Sequence, residues 1–276
     1  MIALNRIVYP FVSLPDFIRL ASKMGFHKIE LRNDLIQKNI LDSYSPEKIS
    51  DILEEKKVKV ITINALQNFN VVEIFSDNLD ELKTLIKTAK GINCSKIVFC
   101  PSNSGQNREN DPEIYRTTIK ALIDFSPVLE ENNMTGLIEP LGFPTSSLRS
   151  ISLAQKLIRE SGCISYKIVH DTFHFYLGTD SMQDLLTVYD KSLIGLVHVS
   201  SVAKSTSTLN LKDGDRVLPD MVSGQDILNS REQIKALAGN GYKGDISFEA
   251  FSKQVQKLKL EDFKNHINKS IDVLLN

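Results

Sequence analysis

Short runs of β-branched and aliphatic residues alternate along the whole chain with longer segments in which apolar residues return every three or four positions. The short runs predict strands at Ala3–Val8, Lys28–Leu31, Lys59–Ile63, Lys96–Phe99, Gly136–Ile138, Lys167–Val169, Gly195–Val197 and Asp245–Phe248. Between them the longer period predicts helices at Leu14–Met24, Pro46–Lys56, Leu79–Lys90, Glu113–Glu131, Leu148–Glu160, Met182–Tyr189, Arg231–Leu237 and Leu258–Leu274. The set Leu82, Leu85, Ile86 and Ala89 shows the i, i+3, i+4 spacing of a helix with one face against a sheet. Pro127 should kink the fourth helix or start a new turn. Gly25, Gly91 and Gly244 suit the turns from helix into strand.

Strict alternation over eight units points to one closed (β/α)8 TIM barrel over residues 1–276, ahead of an open doubly wound sheet. The 276-residue length matches such a barrel, typically about 250 residues. No G-x-G-x-x-G follows the first strand and no G-x-x-x-x-G-K-[ST] occurs, so neither dinucleotide nor P-loop nucleotide binding is supported. Two connections are unusual. The one after the seventh strand, "SSVAKSTSTLNLKDGDRVLPDMVSGQ", is long enough to serve as a flap, and "PSNSGQNREND" after the fourth is shorter and polar.

Composition excludes more than it adds. A formal charge of −1 with scattered Lys and Arg gives nucleic-acid binding no electrostatic support. The opening "MIALNRIVYPFVSLPDF" has no cationic segment leading into an apolar stretch, and no run approaches the roughly 18 apolar residues of a membrane span, so a cytoplasmic protein is expected. Cys94, Cys100 and Cys163 are odd in number and lack CxxC spacing, which predicts reduced thiols rather than disulfides or structural zinc.

In a barrel, polar residues just past each strand share one mouth. Here they are Asn5 and Arg6, Glu30 and Arg32, Asn64, Pro101, Glu139, Asp171, His198 and Glu249. The last four end consecutive units, in "GLIEP", "KIVHD", "GLVHV" and "DISFEA". Three carboxylates brought together repel unless a cation holds them. With one imidazole and no thiolate, Glu139, Asp171, His198 and Glu249 are expected to bind one divalent ion, Mn²⁺, Mg²⁺, Co²⁺ or Zn²⁺. A strand-end Glu or His taken singly is more often a solvated or loop-capping group; the constellation carries the signal.

The remaining candidates have two readings each. His170 alternates to the opposite side from Asp171, as a supporting or core histidine. His174 can lean back over the mouth as a substrate contact, whereas His27 and His266 should be solvated. Phe173, Phe175 and Tyr176 can wall a sugar ring or merely fill the rim. Glu30 and Arg32 can pair with each other or meet polar substrate groups; Asn64 can meet a hydroxyl or cap a turn. In "DGDR", Asp213, Asp215 and Arg216 form either a solvated turn or part of a flap that brings a guanidinium onto substrate.

The motifs "INALQNFN", "IEPLGFP", "HDTFHFYLG", "VHV", "DGDRVLP" and "FEAF" together resemble the xylose isomerase-like TIM-barrel superfamily of sugar isomerases and epimerases, nearest to inosose isomerase and its relatives. The resemblance spans essentially the whole chain. It implies Glu139, Asp171, His198 and Glu249 as metal ligands, Glu139 and Glu249 also as base and acid, and His174 and Arg216 as substrate contacts. The chain departs from the family at "HVSSVAK", which lacks an acidic residue after the strand-seven histidine, and at "DRVLPDMVSGQ", where Asp220 to Val222 replace a glycine turn.

The implied reaction is metal-dependent isomerisation or epimerisation of an unphosphorylated keto-sugar or inosose through a metal-stabilised enediolate, in carbohydrate or inositol metabolism. An inosose dehydratase on the same fold is the alternative. An abasic-site endonuclease of the same superfamily would need extra histidines where this chain reads "INALQNF" and "FCPSNS"; a non-catalytic sugar-binding protein would bind a polyol without turnover. The expected partner is a small keto-sugar or cyclitol, with no nucleic acid and no membrane, and a homo-oligomer is left open.

Overall fold

In the computed structural model, which describes residues 1–104, 111–204, 210–222 and 225–275, eight parallel strands close into a barrel in chain order. They are β1 (Ile2–Asn5), β2 (Lys28–Arg32), β3 (Lys59–Leu66), β4 (Lys96–Phe99), β5 (Thr135–Ile138), β6 (Tyr166–Asp171), β7 (Ile194–Val199) and β8 (Ile246–Phe248). Closure is made by β1 against β8, with Ile2 opposite Ile246 and Leu4 opposite Phe248.

The two-residue period of each strand sorts its side chains. Val98, Leu137, Val169 and Leu196 point inward and fill the barrel with Ala65 and Cys100. Ile97, Phe99, Ile138, Ile168, Val197 and Phe248 point outward beneath the helices. Those helices are α1 (Leu14–Lys23), α2 (Pro46–Lys56), α3 (Phe75–Gly91), α4 (Pro112–Glu131), α5 (Ile151–Ser161), α6 (Thr172–Leu177), α7 (Met182–Thr187), α8 (Ser230–Gly239), α9 (Lys253–Gln256) and α10 (Leu260–Leu275). On α3 the predicted stripe Leu82, Leu85, Ile86 and Ala89 is the buried face; each large aliphatic there contributes about 1.5–3 kcal/mol by leaving water.

Caps set where the helices begin. Ser13, Ser45 and Ser150 each accept the backbone N–H three residues on, at 3.2, 3.3 and 3.1 Å, and Asp111 accepts from Glu113 N at 2.8 Å, satisfying donors the first turn leaves orphaned. Local side chains also explain departures from the predicted boundaries. The first strand stops at Asn5 instead of running to Val8, because the Asn5 side chain accepts from Ile7 N (3.1 Å) and bends residues 6–8 into a 3-10 turn. A short α6 that periodicity did not predict starts directly after β6, capped by Asp171. Pro127 lies within an uninterrupted α4, and the last predicted helix is α10, preceded by a short α9 that periodicity did not predict.

Residues 205–209 and 223–224 of the expected flap, and 105–110 of the loop after β4, lie outside the described residues. The described part of the flap folds over the barrel mouth as a 3-10 turn at Asp213–Asp215, followed by the buried Arg216 and a second turn at Pro219–Val222. Among the described residues no helix is long and apolar enough to cross a membrane.

Candidate metal centre

Four strand ends bring Glu139, Asp171, His198 and Glu249 to one buried point at the C-terminal end of the barrel, each offering one ligand atom, all within 4.8 Å of one another. The sequence spacing predicted this grouping and the fold produces it. Ligand atoms about 2.0–2.2 Å from a shared ion span at most about 4.4 Å, so a contraction of a few tenths of an ångström would close the four around one cation. Three carboxylates and an imidazole are a donor set for a hard or borderline divalent ion.

The electrostatics are those of a cluster that demands positive charge. Burial would depress the His198 imidazolium, but Glu249, Glu30 and Glu139 outweigh it and hold its pKa well above the ordinary value. Its Nδ1 lies 2.7 Å from Glu139 Oε1, 3.3 Å from Glu249 Oε2 and 3.9 Å from Asp171 Oδ2. Burial would likewise raise Glu249, yet His198, Arg216 and Arg32 hold its carboxyl well below the usual range. Both of its oxygens are engaged by guanidinium groups, Oε1 by Arg32 Nη1 at 2.6 Å and Oε2 by Arg216 Nη2 at 2.9 Å.

Arg216 is fully buried. Its Nη2 also donates to Asp171 Oδ2, its Nε to Ser200 Oγ at 3.0 Å and its Nη1 to Asp213 Oδ1 at 3.2 Å. One guanidinium nitrogen therefore rests on an oxygen of each of two candidate ligands. Arg32 pairs with Asp34 through two bonds, 2.8 and 2.7 Å, and turns to Glu249 rather than to Glu30 as one reading of "KIELRND" expected. The Phe251 ring lies between the two arginines, 4.9 Å from each guanidinium carbon.

A cavity of about 200 Å³ opens above the cluster, lined among others by Arg32, Asn64, Asn103, His174, Arg216 and Phe251. His174, Asn64 and Arg216 thus reach the mouth. His174 Nδ1 accepts from Gly142 N at 3.3 Å, which leaves Nε2 for a ligand. Glu30 does not reach it: the carboxylate is fully buried beneath His198, accepting from Asn64 at 3.1 Å and Asn5 at 3.4 Å, one layer below the level a substrate contact requires.

Other candidates separate in the same way. Asp171 Oδ1 accepts the N–H groups of Phe173 (2.7 Å) and His174 (3.0 Å), so "HDTFHF" is strand end, cap and helix in succession. His170 faces outward under α8 with Nε2 2.8 Å from Gln233 Oε1, and burial pushes its pKa down to about 4. Phe173 is buried within a cluster with Val202, Leu211 and Leu228 and meets the Arg216 guanidinium at 5.1 Å, while Tyr176 is exposed. His27 is exposed, but His266, expected in solvent, pairs with Asp220 at 2.7 Å.

Several cavity residues escaped sequence reasoning, Cys100 and Phe251 among them. After β4 it is Cys100, not Pro101, that faces the mouth, its Sγ 3.7 Å from Glu139 Oε2; burial and the Glu139 charge push the thiol well above its ordinary pKa. Counting inward positions from Val98 would have found it. Phe251, two residues past Glu249, has the same parity and was missed for the same reason.

Comparison with known proteins agrees with this fold. A family model described as xylose isomerase-like TIM barrel matches residues 18–275. A xylose isomerase domain containing protein from Salmonella typhimurium LT2 has a crystal structure that superposes with a TM-score of 0.91 at 33% identity, covering 100% of this chain and 97% of that one. An inosose isomerase from Halalkalibacterium halodurans is 24% identical over 247 residues, 89% of this chain and 85% of its own length. The IolI protein, solved with a bound zinc atom, shares the fold with a TM-score of 0.87 at 22% identity over 99% of this chain and 97% of that one.

Proposed function

The chain belongs to the xylose isomerase-like TIM barrel family, and from that premise we propose that it isomerises or epimerises an unphosphorylated keto-sugar or inosose with one divalent metal ion held by Glu139, Asp171, His198 and Glu249. The observation that carries the reading is the convergence of those four buried ligand atoms beneath the cavity. The inosose isomerase relative supports a cyclitol or sugar as substrate. The cavity volume is below the roughly 300–1,000 Å³ of drug-sized ligand sites, which suits a six-carbon polyol. Among the described residues, both cavity arginines are paired with carboxylates, so neither offers a whole guanidinium fork to a phosphate.

When bound, the ion would supply Lewis acidity to a carbonyl oxygen and an adjacent hydroxyl oxygen of the substrate, which acidifies the C–H of the hydroxyl-bearing carbon. The protein side chains do the rest. Glu139 and Glu249 approach from different strands, β5 and β8, and serve as proton acceptor and donor: a proton returned to the other face of that carbon epimerises it, whereas one returned to the former carbonyl carbon, with the hydroxyl proton passing to the carbonyl oxygen, isomerises the substrate. His174 Nε2, Asn64 Oδ1 and Arg216 fix the remaining hydroxyls, and the Phe251 ring gives the sugar an apolar wall.

The test is turnover of a panel of inososes and ketohexoses with Mn²⁺, followed by NMR in deuterated water and by mass spectrometry. Isomerisation or epimerisation is expected to give a product of unchanged composition that carries solvent deuterium at the reacting carbon. Loss of water would identify a dehydratase instead, and tight binding with no turnover across the panel would identify a sugar-binding protein.

A further inference from the structure

Of the carboxylates around the cluster, Glu30 is the one neither the ligand set nor the cavity uses, yet it is held with the most care. Its side chain is fully buried on β2. Oε2 accepts from Asn64 Nδ2 on β3 at 3.1 Å and lies 3.0 Å from His198 Nε2 on β7. Oε1 lies 3.4 Å from Asn5 Nδ2 on β1, and the same amide donates to Glu249 Oε1 at 3.1 Å. Four strands are thus engaged in fixing one anion that touches no ligand-binding space.

What that anion faces is the reverse side of the imidazole. Nδ1 of His198 looks toward Glu139, Glu249 and Asp171, whereas Nε2 looks toward Glu30. A neutral imidazole carries one proton, and the nitrogen that binds an ion must be the bare one. An ionised carboxylate can only accept. It therefore retains the proton on Nε2 and leaves the Nδ1 lone pair directed at the other three ligands.

We propose that Glu30 is a positioning residue: by accepting the Nε2–H of His198 it fixes the tautomer and ring orientation in which Nδ1 binds the divalent ion, with Asn5 and Asn64 holding Glu30 in turn. This rests on the metal centre of the preceding subsection and gives Glu30 a role other than ligation. Glu30 meets the opposite ring nitrogen from the other three carboxylates, so it is not a fifth ligand. Partners of this kind typically change metal affinity 10–100-fold.

The experiment uses the full chain and Zn²⁺, which is diamagnetic, with Glu30→Gln and Glu30→Leu. Affinity is read by chelator competition and the His198 protonation pattern by ¹⁵N–¹H NMR of the zinc-loaded protein. Wild type should show a slowly exchanging Nε2–H and an unprotonated Nδ1. Glu30→Gln, which still offers a carbonyl oxygen, should keep that pattern and bind zinc about tenfold more weakly. Glu30→Leu should lose the protected Nε2–H and bind about a hundredfold more weakly. Zinc affinity unchanged in Glu30→Gln and Glu30→Leu, or an unaltered Nε2–H signal in Glu30→Leu, overturns the role of Glu30 while leaving the metal centre standing. If Glu30→Leu does not fold, Glu30→Gln decides: unchanged affinity overturns the proposal, a tenfold loss with the Nε2–H retained supports it. Failure of wild type to bind zinc overturns the metal centre itself, and the role of Glu30 falls with it.

Discussion

Asp171 carries two loads that a pair of substitutions can separate. Oδ1 caps α6 by accepting the N–H groups of Phe173 and His174, at 2.7 and 3.0 Å, while Oδ2 faces Arg216 and the other candidate ligands. Asparagine caps a helix about as well as aspartate but brings no charge; alanine does neither. With metal removed by EDTA, Asp171→Ala should therefore be less stable than Asp171→Asn by the value of the cap, about 1 kcal/mol. In a chain of this size that separates the two melting temperatures by roughly 2 °C, and urea midpoints should shift in the same order. Toward metal the pair should behave alike: losing a direct ligand costs more than the roughly 100-fold upper range for a supporting partner, so neither should retain stoichiometric Mn²⁺ at micromolar protein. The assays are denaturant titration in EDTA and metal content after gel filtration. Equal stability of the two variants would refute the capping role, and full metal content in Asp171→Asn would refute the metal centre.

Three further outcomes follow from the same geometry. Arg216→Ala should bind Zn²⁺ about tenfold more tightly in chelator competition, since it frees oxygens of Asp171 and Glu249 from a charge-assisted bond of about 1.5–3 kcal/mol, even as turnover falls; weaker binding would contradict the view that the guanidinium occupies ligand oxygens. Gly142→Ala would place a Cβ 2.2 Å from the His174 carbonyl oxygen and 2.8 Å from Gly178 N, so the β5 loop must move off α6 at a cost of about 3 kcal/mol, and a denaturation midpoint equal to wild type would show that loop to be free. His170, with a folded pKa of about 4 against about 6.5 in an unfolded chain, remains neutral in the fold while the unfolded chain takes up its proton. Its contribution is whole above pH about 6.5 and is lost as pH falls toward 4, by up to about 3 kcal/mol; His170→Asn should flatten the urea-stability profile between pH 7 and 4.5, and an unchanged slope would mean the ring is solvated.

The fold was legible because alternation in a βα barrel is a repeated signal. Each strand predicted from sequence ends within a residue or two of an observed one except the third, which runs on from Ile63 to Leu66, and the first, which stops three residues short for a chemical, not a periodic, reason. Asn5 turns the chain by bonding to Ile7 N, a local competition that a hydrophobic pattern cannot register. The α6 helix escaped for a similar reason, since six residues carry too little periodicity and its start is set by Asp171. In the site, strand-end position was enough to group Glu139, Asp171, His198 and Glu249. It was not enough for depth. Glu30, Arg32 and Asn64 all end strands, yet the side chain of Glu30 lies a layer below the cavity while those of Arg32 and Asn64 reach it. That layering depends on register, including the slip between Ile29 and Glu30 on β2, which only the paired strands define.

Asn5 stands on the first strand and donates to Glu249, which directly follows the last. Two residues 244 positions apart in the chain share one hydrogen bond at the centre of the site. Because β1 also pairs with β8, the contact that closes the sheet is the one that sets Glu249 beside Asn5. The seam of the barrel and the centre of the site are therefore one place, and a change that loosens the first strand from the last also loosens the carboxylate of Glu249.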